Sequence, residues 1–167
     1  MAKHLTQTAL IPRSPDEVLA TLNDPGVLVD QARLQGAKEA RVEETRRDAR
    51  RLVQVVHLQE YARGLTGVDR SRTDPAATTY EWDLGDRSCR WRYLGVRGER
   101  VGLSGSITIR PAPGEPAAGA RASQVTFAFD IDVRVPLLGG LIERLIAREV
   151  EKGSQDHAQY LRKRLGA

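Results

Sequence analysis

Apolar and polar positions along the chain follow two periods, a strand-like one through the middle and a helical one at the ends. Residues His4 to Ile11 alternate, with Leu5, Ala9 and Ile11 on one side and Thr6 and Thr8 on the other, which predicts a first strand. Ser14-Pro15-Asp16-Glu17 then reads as a helix start. Ser14 can cap, Pro15 takes the first helical position, and Glu17 completes an S-x-x-E box. Val18, Leu19 and Leu22 supply the apolar stripe of that helix, and Asn23-Asp24-Pro25 ends it. A second short helix is predicted from Pro25 to Gln35, with Asp24 as cap and Gly36 as terminator.

After Gly36 the period changes. Strands are predicted at 38–45, 51–61, 79–84, 88–94, 101–110 and 123–135, separated by turn signals at Asp48-Ala49, Gly85-Asp86, Gly98-Glu99 and the Pro111 to Gly119 loop. The stretch 64–77 is too long for a tight turn and is compatible with a short helix, an extra strand or a loop. Strand parity is informative: Tyr80, Trp82 and Leu84 share a face, as do Cys89, Trp91 and Tyr93, and as do Val125, Phe127, Phe129, Ile131, Val133 and Val135. Each of these strands has one polar side and one apolar side, as in an antiparallel sheet covered on one face. Six of the chain's eight aromatic residues fall on the inner faces so defined, and a one-residue slip would expose them all.

The last thirty residues return to helical spacing. Leu138, Leu141, Ile142, Leu145, Ile146, Val150, Gly153, His157, Tyr160, Leu161 and Leu165 form one stripe. A helix of about 28 residues spans about 42 Å, and only a large curved sheet can cover such a stripe. Its first half reads as greasy and closely packed. Its middle turns small and polar at Gly153 and His157, which leaves room for another group.

Composition narrows the class without naming a chemistry. The length of 167 residues suits a single domain, residues 1–167, with a core large enough to need no disulfide or metal. Forty per cent hydrophobic and 29% charged residues are values of a globular protein. No apolar run reaches membrane-spanning length, and no apolar signal core opens the chain. With its single Cys89 the protein is expected in a reducing, cytoplasmic setting. The net charge of +4 comes from arginines interleaved with acids, without a basic stripe or groove-reading element, so nucleic acid is not an expected partner. The densest cluster, Arg46, Arg47, Arg50 and Arg51, surrounds a hairpin tip and can touch an anionic membrane or a partner.

One strand, two short helices, six strands and a long helix is an order that resembles the START-like, or helix-grip, superfamily (SRPBCC), over nearly the whole chain. The segment Ile11-Pro12-Arg13-Ser14-Pro15-Asp16-Glu17-Val18 is similar to that superfamily's passage from strand to helix. Val135-Pro136-Leu137-Leu138-Gly139-Gly140-Leu141-Ile142-Glu143 resembles the opening of the last helix in a functionally uncharacterised bacterial branch. The resemblance implies an α+β fold, a seven-stranded antiparallel sheet curved around the C-terminal helix, with an apolar cavity between the two. Members include lipid-transfer domains, polyketide cyclases, pollen-type pathogenesis-related proteins and quinone-binding proteins. They share no catalytic motif, so no catalytic residue is carried over, and fold alone does not fix an activity.

Candidate site residues follow from the two inner surfaces. His157 can donate to a ligand carbonyl or act as acid/base near neutral pH, or can simply be a helix histidine paired with a polar neighbour. Tyr80, Trp82, Trp91 and Tyr93 can line a pocket or pack as ordinary core, and Phe127, Phe129, Gly153 and Tyr160 belong to the same surfaces. Tyr61 is similar but less securely placed. His57 shares parity with Val53 and Val55 on a strand whose buried face is ambiguous, and Cys89 reads as an inert buried thiol. His4, His57 and His157 lie on separate elements without ligand spacing, and no nucleotide fingerprint is present, so neither metal nor cofactor is expected. The leading function is binding or transfer of a small hydrophobic molecule (lipid, quinone or polyketide-like), including hand-over to a partner enzyme. The alternatives are a cyclase or aromatase using a cavity histidine, and a partner-binding module with a closed core. Oligomeric state stays open.

Overall fold

The helix starts form as their spacing dictates. In the computed structural model, which describes residues 2–64 and 66–166, β1 (Ala2–Ile11) leads into α1 (Pro15–Leu22) and α2 (Pro25–Leu34). The Ser14 hydroxyl accepts from the Glu17 amide at 3.3 Å, and the Ser14 amide donates to the Glu17 carboxylate at 2.9 Å. This reciprocal cap contributes about 1 kcal/mol. The Asp24 carboxylate accepts from the Val27 amide at 3.1 Å to open α2. Gly36, at φ +97°, ends the turn after α2 in the left-handed region that favours glycine.

The strands are β2 (Ala37–Arg47), β3 (Arg51–Gly64), β4 (Gly67–Asp83), β5 (Ser88–Leu94), β6 (Val101–Pro111) and β7 (Ser123–Val133). With β1 they form one antiparallel sheet in the order β1-β7-β6-β5-β4-β3-β2. Register breaks at Ala37/Glu39, Glu44/Arg46 and Tyr61/Ala62 are bulges that increase the local twist. α3 (Gly139–Arg164) lies across β7 and β1 and reaches α2. Two polar ties fasten it: Tyr160 donates to Asp30 of α2 at 2.7 Å, and Ser154 donates to Gln7 of β1. This is the α+β helix-grip arrangement that the order of elements predicts, with two short helices after the first strand.

Two segments depart from expectation. β4 begins at Gly67, twelve residues before the predicted strand at 79, because the stretch 64–77 extends the β3–β4 hairpin. Its side chains from Gly67 to Arg72 are exposed, so no apolar alternation was required there; Leu65 lies outside the described residues. The second departure is in α3. Its first half was expected to be closely packed, yet Leu138, Leu141 and Leu145 are exposed. The face that meets the sheet is the adjacent ridge, where Ile142, Ile146, Ala147 and Val150 pack on Ile131 and Val133.

Candidate functional site

Because directly opposed residues in an antiparallel sheet point to the same side, the register converts the concave face into rows. One row runs Leu52, Trp82, Cys89, Ile107, Phe127. All five are buried, Trp82 to 1% exposure, and they form a single cluster with Val18 and Leu22 of α1 and Leu161 of α3. The next row, two residues along each strand, runs Gln54, Tyr80, Trp91, Gly105, Phe129, Leu5. Here everything except Gln54 keeps accessible surface. Tyr93 and Leu103, in the row after, do as well.

This half-open patch is built around a glycine. A Cβ at Gly105 would lie 1.9 Å from the Ala128 carbonyl oxygen and 2.8 Å from Cζ2 of Trp91, so no other residue fits there unchanged. The missing side chain lets the Trp91 indole lie over the sheet and meet Phe129 edge-on, with ring centroids 5.6 Å apart. Burial pushes the Tyr80 phenol well above its usual range, although the residue keeps accessible surface. The buried apolar residues form three clusters, at the α1 end, beneath α2 and beneath α3, and Tyr80 packs against the first two.

Polar groups stand on the sheet and on α3. The Tyr93 hydroxyl donates to the Glu60 carboxylate at 2.5 Å, and its ring folds along the strand against Gly95, where a Cβ would come within 2.6 Å of the hydroxyl. Burial and the neighbouring carboxylate both push the Tyr93 phenol up. On α3, His157 is 4% exposed and its ring stands 5.5 Å from that of Phe127. Its Nε2 has no hydrogen-bond partner, and burial lowers its pKa to about 4, so the imidazole is neutral at physiological pH. Gln54 Oε1 and Trp82 Nε1 are likewise buried without partners. The Gln54 amide nitrogen donates to the Asn23 carbonyl at 2.8 Å, binding β3 to the end of α1.

The nine residues singled out from sequence therefore separate. Tyr80, Trp91, Tyr93 and Phe129 lie half-buried on neighbouring rows of the concave face. Trp82, Phe127 and His157 pack in the closed part. Gly153 faces Gln35 at the end of α2, and the Tyr160 hydroxyl is taken up by Asp30. Glu60 was missed, because the Val55-Val56 run left the buried side of β3 undecided. Its face is settled by the pairing of Leu52 with Trp82. Leu103 and Gly105 were missed as well, although an isolated strand glycine is a known sign of close approach. His57 lies on the outer face and bonds Glu43 at 2.7 Å, and His4 bonds Asp130 at 2.7 Å. Cys89 is buried and its thiol is pushed up by desolvation, so it is inert. Among the described residues no three His, Cys, Asp or Glu side chains are grouped as a metal site requires.

Two depressions lie on the α3 side of the sheet. One, of about 210 Å³, follows the seam between β1 and α3 at Gln7, Phe127 and Ser154. The other, of about 400 Å³, lies where β7 passes into α3, at Val133, Val135, Leu137 and Glu143.

Residues 6–165 match the protein family described as "Protein of unknown function (DUF2505)", and the chain belongs to that family. No curated protein matches it. Among solved structures it is similar to the ZhuI aromatase/cyclase from Streptomyces sp. R1128, at 17% identity and a TM-score of 0.65, covering 99% of this chain and 96% of that one. It is similar also to norcoclaurine synthase from Thalictrum flavum in complex with dopamine and hydroxybenzaldehyde (12% identity, TM-score 0.62, 96% and 86% covered). A third is Ara h 8.0201 (10% identity, TM-score 0.59, 96% and 98% covered). At these identities the likeness establishes the helix-grip fold.

Proposed function

We propose that this member of the DUF2505 family, acting as one domain over residues 1–167, holds a small hydrophobic molecule of lipid, quinone or polyketide-like character between the concave sheet and α3. The observation that carries this reading is the step between adjacent rows: Trp82, Cys89 and Ile107 are sealed, and Tyr80, Trp91 and Phe129 are not. A closed core would not stop halfway along a sheet whose inner face stays apolar. The aromatic floor offers flat apolar surface, and Tyr93 on Glu60 offers the polar contact that would orient one end of a ligand. Burying about 300 Å² of ligand surface at ~25 cal/mol per Å² supplies about 7 kcal/mol, or roughly ten-micromolar affinity before ordering costs. Fold neighbours that are an aromatase/cyclase and a synthase in complex with two small aromatic molecules are in keeping with such contents.

Acid/base catalysis of the cyclase type is a second reading, favoured by the short Tyr93–Glu60 contact on the same concave face. His157 is less suited to that role, because its Nε2 is enclosed and its cationic form is reached only near pH 4. Glu60 would then serve as the acid/base group, with Tyr93 positioning it.

The deciding experiment is native mass spectrometry on protein from its own source, followed by extraction and identification of any adduct. A stoichiometric hydrophobic adduct that disappears in Leu103→Trp supports the container. A clean apo mass, with no uptake of an environment-sensitive dye by the wild type, overturns it in favour of the partner-binding module.

A further inference from the structure

Seven of the nine exposed large hydrophobic residues among those described gather at one end of the molecule. Leu137, Leu138, Leu141 and Leu145 lie at the β7–α3 passage and on the first turns of α3. Leu94 and Val96 lie on the β5–β6 turn, and Val68 on the β3–β4 tip. These pieces are physically joined. Arg63 at the tip pairs with Glu149 of α3, Arg97 of the β5–β6 turn donates to the Arg63 carbonyl at 3.2 Å, and the Arg134 amide donates to the Arg100 carbonyl at 2.8 Å. They form one rim around the open end of the sheet.

Leu137 is the clearest sign that the rim is built to project. Its side chain is fully exposed, and its backbone sits at φ +65°, a region that leucine adopts only at a cost. A glycine or a polar residue would serve a mere connection better. Strain that holds an apolar side chain out into water needs a partner that rewards it.

The charge around the rim says which partner. Segments 63–72, 95–100 and 132–149 contain eight arginines against five carboxylates, most of the chain's formal +4. Arg100, Arg144 and Arg148 are exposed and, among the described residues, pair with no carboxylate. The arginines of the β2–β3 tip differ: Arg46 pairs with Asp48, Arg47 with Glu44 and Arg50 with Asp83, so their charge is largely spent locally. Among the described residues no helix is long and apolar enough to cross a membrane. Apolar tips spread over three segments with basic side chains between them fit a yielding interface better than the flat, contiguous surface of a protein partner. Leucines can enter the acyl boundary while guanidinium groups remain at phosphate level.

We propose that this rim docks the protein reversibly on an anionic lipid bilayer, with Leu137 and Leu141 inserting and Arg100, Arg144 and Arg148 facing the headgroup phosphates. The docking is a property of the exterior and does not depend on whether the proposed interior site is filled.

The test is co-sedimentation with vesicles of phosphatidylcholine alone and with about 30 mol % phosphatidylglycerol, a composition that sets up the negative surface potential basic residues respond to. Wild-type protein is expected to partition at least tenfold more strongly onto the anionic vesicles, and to be released by roughly 0.5 M salt as screening shortens the field. Leu137→Ser with Leu141→Ser should lower partition by tenfold or more, and Arg144→Glu with Arg148→Glu by a similar factor. Leu10→Ser, at a leucine on β1 about as exposed as Leu141, should change nothing. All of these positions are at the surface, so unchanged thermal melting is the control for folding. Equal partition onto neutral and anionic vesicles, or indifference to the leucine pair, would overturn the proposal. A dimer in sedimentation equilibrium that the leucine pair dissociates would also overturn it, assigning the rim to a second copy of the chain.

Discussion

The two ends of the sheet are made of the same strands and behave in opposite ways. At the α1 end, Trp82, Ile107, Ile109 and Val125 are closed over by Val18, Leu22 and Leu161, with Gln54 holding the helix end to β3. Toward the other end Tyr80, Trp91 and Phe129 are only half-buried, and the loops carry leucines outward. The difference is one of coverage. α1 and α2 cross one part of the concave face, and α3 contributes small residues, Ala147, Gly153 and Ser154, where it passes the middle. The three helices therefore cover the α1 end fully and the other end in part.

Truncating one tryptophan from each end probes this division most strongly. Trp82→Ala empties a filled site and should cost about 3–5 kcal/mol, the usual range for a buried large aromatic. Trp91→Ala removes a ring that is only half-buried, so its cost should be about 1–2 kcal/mol, with loss of ligand uptake as its main effect. Urea denaturation of both variants gives the numbers. Equal costs would erase the distinction between the two ends.

His157 marks the boundary from the helix side. The unfolded chain takes up a proton near the ordinary histidine pKa of about 6.5, whereas burial delays uptake in the folded state to about 4. Between those values the unfolded state binds more protons, so stability rises with pH across this window. The full contribution is present above about pH 6.5. It falls by as much as about 3 kcal/mol by pH 4 and stays lowered below that. His157→Leu should flatten that part of the profile, measured as the difference between the two proteins' denaturation midpoints at pH 7 and pH 4.5. A histidine reached by water would titrate near 6.5 and leave the profiles parallel, moving the boundary of the proposed interior site up to α3.

Filling the proposed interior site tests its existence directly. Leu103→Trp adds bulk on the accessible row, where a vacancy can take it at little cost, within about 0.5 kcal/mol of wild type. In a packed core the same change would cost about 1–3 kcal/mol. Stability retained together with lost dye uptake supports the vacancy; lost stability argues for a closed interior.

What was legible in the sequence depended on whether a local rule was decisive. The S-x-x-E cap, the Asp24 cap and the alternation in β5 and β7 each have one low-energy solution, and the elements formed where they pointed. The exposed β3–β4 extension was hidden because a strand paired on one side, with wet side chains, leaves no apolar period to read. The stripe through Leu138, Leu141 and Leu145 was real, but periodicity shows only that residues share a face and says nothing about what that face meets. Gly153 and His157 suggested room at mid-helix; His157 itself is buried, and a depression of about 210 Å³ runs beside that stretch of α3 at Ser154, Gln155 and Ala158.

The smallest expected effect concerns Leu137, where the two ends are contrasted in a single residue. A core leucine is stabilising because burial rewards it; this one is fully exposed and held at φ +65°. Leu137→Gly removes no buried contact and relieves the left-handed strain, a gain of roughly 1 kcal/mol reduced by glycine's greater freedom in the unfolded chain. The expected outcome is therefore stability unchanged or raised by about 0.5 kcal/mol, with a melting shift of a degree or two. Partition onto anionic vesicles should fall in the same variant. A residue whose replacement improves the fold and impairs the surface is retained for the surface. If Leu137→Gly instead lowers stability by about 1 kcal/mol or more, the leucine is packing on a neighbour, and the open end is more closed than its exposed leucines indicate.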